Sequence, residues 1–475
     1  MFADKTVAEP ASLTITEAVT ALSNGQLKIL DLLRSCQDRI QRFNNRFRAF
    51  SHLASFSTAE IDALQAEFRR GNARSPLHGL TIGVKGSIPV ASLPWTEGSA
   101  IFANRIATTD AAIVSRARQA GAIILGTTTL SELAMYGVRN AFEQMGINPW
   151  CPERTAGGSS TGAGVAACLG MASVNIGTDS GGSIRNPACH TGVVGFMASA
   201  DTLPAGGVPE HVPSLPALGL IARSVADVTV AYETLSPDTS CDPRPTQRLL
   251  VPRCLIEQVC DEETASLFAR ALQHLRSNHF ALIDCDISSW RDGEAAAGII
   301  SLFEAARSLR RMDCALASDG IRDRRDAGLR VSERAIDKAR RSAAIFCREM
   351  TNALDVANAD AFISPTWPFA APLIDEQSVS IRGEKISVDP HRNCFVRAAN
   401  AAGATALTLP MGLYPGAHVP AGIHLMAARA RDHRLLAVAA RVEHAMPRLP
   451  LPPPLRETAL SAQASATHRR SSATP

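Results

Sequence analysis

Two glycine-rich loops carry the serines whose setting could support nucleophilic chemistry. Residues 157–164 read GGSSTGAG, and residues 179–183 read DSGGS after a mostly apolar run. Glycine has no Cβ, so such a backbone can enter left-handed conformations and bring several N–H groups close to one point. If the amides of Gly181, Gly182 and Ser183 turn inward, they form a concavity suited to a developing oxyanion in an acyl transfer. Ser183 would then lie beside its own oxyanion hole.

Lys85 is the best candidate for the base that such a serine needs, because a hydroxyl is a weak nucleophile until its proton is accepted. It lies near the end of residues 77–86, LHGLTIGVKG, an apolar run that is typical of a β-strand. Burial there would lower the lysine pKa and favour the neutral amine. A lone lysine after an apolar run is more often a solvated strand end, so the two serine loops are what favour catalysis.

Together these residues resemble the amidase signature family. The resemblance rests on Lys85, on GGSS at 157–160 and on DSGGSIR at 179–185, with the two key serines 24 residues apart, as in the family. It implies that Lys85 is the base, that Ser159 relays the proton and that Ser183 is the nucleophile. It also implies a cis peptide bond between Gly158 and Ser159.

The resemblance also implies an oxyanion hole and a set of supporting residues. The expected hole is formed by the backbone amides of Ser180, Gly181, Gly182 and Ser183. The expected supporting residues are Gly158, Ser160, Asp179 and Arg185. An acidic residue beside glycines more often ties a turn through the backbone than acts in catalysis, so Asp179 is interpreted as structural. Arg185 is expected to brace the nucleophile loop through its several donors.

The resemblance covers roughly residues 10–450, with departures that limit what can be carried over. Gly86 stands where an aspartate is usual, Thr161 replaces a glycine, and residues 190–191 and 196–199 also differ from the family pattern. None of these changes removes a member of the triad. They indicate a diverged branch, whose substrate is not taken from any one relative.

Three competing interpretations of the motifs are less favoured. His190 lies seven residues after Ser183, but without an identifiable acidic partner we expect it to be packed or at the pocket edge. Residues 162–164 suggest a nucleotide loop, yet the glycine fingerprint is incomplete and no strand precedes it. The 12 histidines show no metal-binding spacing, so we predict no metal and no cofactor.

Met135, Tyr136 and Trp367 are predicted pocket-wall residues.

Composition is compatible with an enzyme that acts on a small molecule. The 48 basic and 45 acidic residues nearly balance, which indicates neither nucleic acid nor an anionic membrane as partner. The 11 cysteines are odd in number and form no C-x-x-C pair, so we expect reduced thiols. With no signal-peptide pattern and no long apolar run, we expect a cytoplasmic protein that does not engage membranes. Homodimers are common among such enzymes, which makes a homodimer our expectation.

Apolar periodicity predicts the elements that would position these residues. Helices are predicted at 27–42, 110–120 and 331–356, and buried strands at 122–126 and 361–364. Alternation of helix and strand indicates an α/β fold. The resemblance implies the amidase-signature fold, with a long central mixed β-sheet covered by helices on both faces. We expect one domain over 1–450, with a helix-rich, pocket-shaping region at about 255–357 and a disordered tail at 451–475.

The resulting hypothesis is an amidase that cleaves a carboxylic amide C–N bond through an acyl-enzyme and releases an acid and ammonia or an amine. In class terms it is a hydrolase of carbon–nitrogen bonds other than peptide bonds, acting on a linear, small-molecule amide. Two alternatives stay open. One is a glutamine-hydrolysing subunit of an amidotransferase complex, and the other is a hydrolase of carbamate, urea-derived or hydrazide substrates.

Overall fold

The centre of the molecule is a mixed sheet whose strands come from nearly the whole chain. The structure, a computed structural model, describes residues 9–135, 142–215, 217–237 and 245–459. The strands in these ranges are β1 Phe50–Leu53, β2 Thr81–Lys85, β3 Ile123–Thr128, β4 Val174–Thr178, β5 Val194–Met197, β6 Leu218–Ala222, β7 Arg248–Val251, β8 Ala281–Asp284, β9 Ala361–Pro365, β10 Ser378–Ile381, β11 Glu384–Ser387, β12 Thr405–Leu413 and β13 Pro420–Ala427. Eleven of them form one sheet in the order β1-β3-β2-β4-β6-β5-β12-β13-β9-β7-β8, and β10 pairs with β11 separately.

Helices cover both faces of this sheet, which confirms the predicted fold class. They are α1 Ile15–Ser23, α2 Ile29–Phe47, α3 Thr58–Arg69, α4 Ala112–Gln119, α5 Thr161–Cys168, α6 Arg185–Thr191, α7 Val225–Leu235, α8 Arg253–Val259, α9 Glu262–Ser277, α10 Trp290–Leu309, α11 Asp319–Leu329, α12 Glu333–Val356, α13 Val388–His391, α14 Val396–Ala401 and α15 Asp432–Ala445. The sheet is mixed, because β2 pairs in parallel with β3 and β4 while β4 pairs antiparallel with β6.

The α2 helix shows how the sequence pattern specifies these elements. Its buried residues Leu32, Cys36, Ile40 and Phe43 recur every three or four positions, which places them on one face of the helix. The helix extends past the predicted end at residue 42 and stops before Arg48, which adopts a left-handed conformation with φ 52°. A left-handed residue after the last turn is a common way for a helix to end.

Parallel pairing of β2 with β4 brings the two key loops to the same edge of the sheet. Ile82 lies opposite Val174 and Val84 lies opposite Ile176, so the carboxyl ends of both strands point the same way. Lys85 is the last residue of β2, and the loop that carries Ser183 leaves directly from the end of β4. Open α/β sheets characteristically place their sites at this edge.

The helix-rich region packs beside the sheet and carries a smaller apolar cluster of its own. Helix α10 contacts α11, α12 and α14, with Ile300, Leu309, Ile321 and Ile336 buried between them. The main apolar cluster is continuous and contains buried residues of elements from α1 to α15. Residues 453–459 are helical and Leu455 packs against this core, so ordered structure continues past the residue at which the disordered tail was predicted to begin.

Candidate active site

Lys85 lies at the end of β2 with its side chain fully buried. Its Nζ lies 2.7 Å from Ser159 Oγ and 2.7 Å from Thr178 Oγ1, and 3.3 Å from the Thr178 carbonyl oxygen. Burial lowers the pKa of Lys85 from 10.5 to about 7, although the negative charges of Asp179 and Glu97 raise it. A substantial fraction of this amine is therefore neutral near pH 7 and able to accept a proton.

The loop that carries Ser159 is tied to the loop that carries Ser183. The Gly158–Ser159 peptide bond is cis, as the resemblance implied, and Ser159 is fully buried. Ser160 donates its backbone N–H to the Ser183 carbonyl at 3.0 Å and its hydroxyl to the Thr178 carbonyl at 3.3 Å. These bonds connect the two serine loops directly beside Lys85.

Gly162 lets the helix after Ser159 approach its neighbours. A methyl group at this position would lie 2.1 Å from the carbonyl oxygen of Ala49 and 2.5 Å from the backbone nitrogen of Thr129. Both atoms belong to the backbone, so a larger residue would displace α5. The glycine therefore serves close packing that holds Ser159 in place, and a nucleotide loop is not needed to explain it.

Asp179 organises the loop that carries Ser183. One carboxylate oxygen accepts hydrogen bonds from the amides of Gly181 at 3.2 Å and Gly182 at 2.6 Å, and the other accepts from Ile184 at 3.1 Å. Burial raises the pKa of the Asp179 carboxyl, but the charge and hydrogen bonds of Arg185 and the backbone donors outweigh burial and pull the pKa well below its usual range. Asp179 is thus a charged, turn-forming residue.

Two of the four amides predicted for the oxyanion hole make hydrogen bonds within the loop. The N–H groups of Gly181 and Gly182 point at the Asp179 carboxylate and are engaged there. The N–H groups of Ser180 and Ser183, by contrast, donate no hydrogen bond to any residue that the structure describes. The free donors in the loop are therefore two of the four that were predicted.

Arg185 is fully buried behind the loop and does not reach the cavity. Its Nε and Nη2 donate to Asp179 at 3.0 and 2.9 Å, and Nη2 also donates to Asn400 Oδ1 at 2.7 Å. Its Nη1 donates to the Val396 carbonyl at 2.7 Å and lies 2.9 Å from His424 Nε2. Arg185 therefore braces the loop from within the core.

Ser183 opens onto a cavity with a volume of about 420 Å³. This size suits a small organic substrate. Within the described ranges, the Ser183 hydroxyl makes no hydrogen bond, so the link from Ser159 to Ser183 is open while the link from Lys85 to Ser159 is formed. Catalytic hydrogen bonds of this kind often tighten only when substrate is bound.

The cavity walls match the predicted set only in part. Met135 lines the cavity, and Tyr136 lies outside the described residues. Trp367 does not line this cavity. Its side chain is 2% exposed, away from the cavity, and its Nε1 donates to Asn186 Oδ1 at 2.7 Å. The His190 ring packs edge-on against Trp367 with ring centres 4.3 Å apart. A large amphipathic side chain with a hydrogen-bonded ring nitrogen is stable in a core.

His190 is also buried, and burial lowers its pKa to about 3. Neither of its ring nitrogens has a hydrogen-bond partner in the part of the chain that the structure describes. It lies off the cavity wall, so the geometry does not favour a pair between His190 and Ser183.

Sequence reasoning missed several residues that the fold brings to this site. Thr178 binds Lys85, and its position directly before Asp179 at a strand end was a usable signal. His211 lines the cavity, and its Nε2 lies 2.6 Å from the buried carboxylate of Glu97. Arg397 lines the cavity from a helix more than 200 residues beyond Ser183 in the chain. No local pattern connects the last two features to the serine loops.

Neither a metal site nor a membrane span is found in the described part of the chain. No cluster of three or more His, Cys, Asp or Glu side chains there could hold a metal ion. Among the same residues, no helix combines the length and apolarity needed to cross a bilayer.

Comparison with known proteins agrees with the geometry. A model of the family described as Amidase matches residues 31–436. The chain belongs to the amidase family. It is 28% identical to a glutamyl-tRNA(Gln) amidotransferase subunit from Nitratidesulfovibrio vulgaris (strain DP4), with 94% of this chain and 99% of that relative aligned. It is 27% identical to the corresponding protein from Thermobifida fusca (strain YX), which has the same name, with 92% and 96% aligned.

Solved structures of amidase family members show the same fold. One described as an amidase has 28% identity and a TM-score of 0.84, and the alignment covers 92% of this chain and all of that one. The peptide amidase from Stenotrophomonas maltophilia has 24% identity and a TM-score of 0.78, covering 93% and 98%, and this likeness concerns the fold alone. Family and fold are thereby confirmed, and the chain is a hydrolase of carbon–nitrogen bonds.

Proposed function

We propose that this chain hydrolyses a small carboxylic amide through an acyl-enzyme formed on Ser183. The observation that carries the proposal is the 2.7 Å contact between the buried Lys85 amine and the Ser159 hydroxyl, directly behind the loop that presents Ser183 to the cavity. A lysine with a pKa of about 7 can act as a base at neutral pH.

In the first half-reaction, the Ser183 oxygen attacks the amide carbonyl and forms a new C–O bond. The Ser183 proton moves to Ser159, whose own proton moves to the neutral amine of Lys85. Collapse of the tetrahedral intermediate breaks the C–N bond, and the leaving nitrogen takes a proton back along the same path. Water then attacks the ester, so Ser183 regains its proton and the acid departs.

The oxyanion in this scheme is stabilised by the amides of Ser180 and Ser183. Asp179 keeps the intervening glycine amides occupied and so fixes the direction in which the loop turns. These N–H donors are already in position before the reaction. They can therefore stabilise the developing negative charge without any reorganisation of the loop.

The direct test is removal of the nucleophile. Ser183→Ala should lower amidase turnover by roughly 10⁴-fold or more while leaving the far-UV circular dichroism spectrum intact. Ser301→Ala is the matched control, because it removes a hydroxyl from the same cavity on α10, away from both serine loops. The assay is a panel of primary amides, anilides, carbamates and esters. Turnover by the Ser183→Ala protein at the unmodified rate would reject the proposal.

A second candidate function is favoured by the names of the aligned relatives, which are amidotransferase subunits. In that case the same residues would release ammonia from glutamine for a partner protein. The protein alone would then have little glutaminase activity and would co-purify with other subunits under native conditions. Vigorous hydrolysis of amides by the isolated chain, with no co-purifying protein, would favour the independent amidase.

A further inference from the structure

Apolar side chains from two segments form one side of the cavity that Ser183 lines. They are Leu302 and Ala305 of α10 and Leu203, Val208 and Val212 of the segment between β5 and β6. The space between these two sets of side chains is the slot. Ala305 and Val212 belong to one buried apolar cluster, so the two walls of the slot continue into a shared core. Such a lining favours an apolar ligand, because burial of apolar surface from water is favourable.

One end of the slot lies at the loop that carries Ser183. A methyl group at Gly181 would lie 3.9 Å from Arg397 Nε, and one at Gly298 of α10 would lie 3.1 Å from Arg397 Nη1. Arg397 therefore connects this loop to α10 at Gly298, which also lines the cavity. The position of Gly298 marks the reacting end.

His211 closes the other end of the slot. Its Nδ1 lies 3.0 Å from Ser308 Oγ on α10, and its Nε2 lies 2.6 Å from Glu97 Oε2. Gly298 and Ser308 are about 15 Å apart along the axis of α10, because an α-helix rises about 1.5 Å per residue. The cavity therefore extends along α10 from the reacting loop to His211.

The His211 ring is held by groups that are themselves fixed. Glu97 is 1% exposed and also accepts a hydrogen bond from Arg105 Nη2 at 2.6 Å. The Arg105 guanidinium lies over the Trp95 ring, with Cζ 3.6 Å from the ring centre. Because both ring nitrogens of His211 are engaged, the ring presents carbon atoms to a ligand. The far end of the slot is thus preformed and apolar.

A second bond fastens the segment between β5 and β6 to α10. Ser214 donates its backbone N–H to Glu304 Oε2 at 2.9 Å. The carboxylates of this segment that line the cavity are exposed, since the Asp201 side chain is 80% exposed and pairs with Arg429, and Glu210 is exposed as well. The segment therefore keeps these charges in solvent and buries apolar side chains such as Val212 in the wall.

We propose that the substrate is an amide with an extended apolar acyl group, which lies in the slot along α10 and ends at His211. The inference rests on the proposed amidase function and adds the substrate class. When the substrate carbonyl is at Ser183, the long direction of the cavity leads its acyl substituent towards His211. Each methylene group that leaves water for such a lining strengthens binding about fourfold.

The first test is a series of straight-chain primary amides. We expect kcat/KM to rise about fourfold per methylene from propionamide to hexanamide. The compound 5-hydroxypentanamide has the length of hexanamide but ends in a hydroxyl group, and its kcat/KM should be at least tenfold lower than that of hexanamide, because the hydroxyl loses its hydrogen bonds to water. Equal kcat/KM values across the series would overturn the inference and leave the amidase proposal standing.

The second test changes the length of the slot. Ala305→Leu fills it, and should lower kcat/KM for hexanamide at least tenfold while propionamide changes less than twofold. Ala295→Leu is the matched control, because it makes the same change at an exposed position of the same helix and should preserve both values. His211→Ala extends the slot and leaves Glu97 paired with Arg105, so the octanamide-to-hexanamide ratio of kcat/KM should rise at least fivefold. An unchanged chain-length profile in Ala305→Leu and His211→Ala would contradict the inference.

The third test separates binding in the slot from catalysis. Calorimetric titration of the Ser183→Ala protein should show at least tenfold tighter binding of hexanamide than of propionamide, with a more negative heat-capacity change for hexanamide. Adding Ala305→Leu to this protein should abolish the difference. Chain-length-dependent binding with no amidase activity in the unmodified protein would reject the function but keep the slot, whereas equal affinities for the two amides would reject the slot.

Discussion

The pH dependence of serine reactivity should report the ionisation of Lys85. The Lys85 side chain is fully buried, and its pKa is about 7 instead of the ordinary value of 10.5. That difference corresponds to roughly 5 kcal/mol against the charged amine. At pH 6 only about a tenth of the amine is neutral, and at pH 8 about nine-tenths is, so the base becomes available over this interval.

The expected result is a rate of Ser183 modification that rises about tenfold between pH 6 and pH 8 and then levels off. A lysine with an ordinary pKa would instead give a rise of about a hundredfold over the same range, with no plateau. The sign follows from the chemistry, because the protonated amine cannot accept a proton and the neutral amine can. The measurement is the second-order rate constant for a fluorophosphonate probe from pH 5.5 to pH 9.5, which needs no knowledge of the substrate.

Two variants make this experiment specific to Lys85. Lys85→Ala should slow modification and remove the inflection near pH 7, whereas the exposed Lys338→Ala should keep both. Glu97→Gln should move the inflection to lower pH, because the negative charge of Glu97 raises the Lys85 pKa. A profile that keeps the same inflection in Lys85→Ala, or that rises without a plateau up to pH 9.5 in the unmodified protein, would refute Lys85 as the base.

Two further predictions concern the support of the site. Asp179→Ala leaves the buried Arg185 without its carboxylate and should lower the free energy of unfolding in denaturant titrations by about 3–5 kcal/mol. Asp201→Ala breaks an exposed ion pair and should cost less than about 1 kcal/mol, so equal losses would contradict the role of Asp179. Gly162→Ala places a methyl group 2.1 Å from a backbone oxygen and should cost about 1–3 kcal/mol and at least tenfold in kcat/KM. Gly206→Ala, whose nearest neighbour lies at 3.4 Å, should preserve kcat/KM, and equal activity in both variants would argue against the packing role of Gly162.

Local pattern indicated the apolar runs that precede Lys85 and Asp179. The apolar run before Lys85 forms β2, and the run before Asp179 forms β4, with the two strands parallel. The carboxyl ends of adjacent parallel strands lie together, so the pairing of β2 with β4 brings Lys85 and the loop that carries Ser183 to one place. The predicted helix at 331–356 likewise appears as α12, because its apolar spacing is sustained over many turns.

The missed features depend on contacts between distant segments. Trp367 looked suitable for a pocket wall, but its indole nitrogen finds Asn186, 181 residues away, and so the ring stays in the core. The engagement of the Gly181 and Gly182 amides depends on how the loop turns back on Asp179, which the residue types alone leave open. Arg397 reaches the loop only because α14 packs there. Periodicity reports which face of an element is buried, and it carries no information on which element covers it.

The central claim is that Ser183 is the nucleophile of a Lys85–Ser159–Ser183 proton path, and the position of covalent labelling tests it most directly. After reaction with a fluorophosphonate probe near pH 8, proteolysis and tandem mass spectrometry should locate the adduct on Ser183, with none on Ser159, Ser160 or Ser180. Labelling of Ser183 should fall sharply in the Ser159→Ala and Lys85→Ala variants. An adduct on another serine, or undiminished labelling of Ser183 in both variants, would contradict the account.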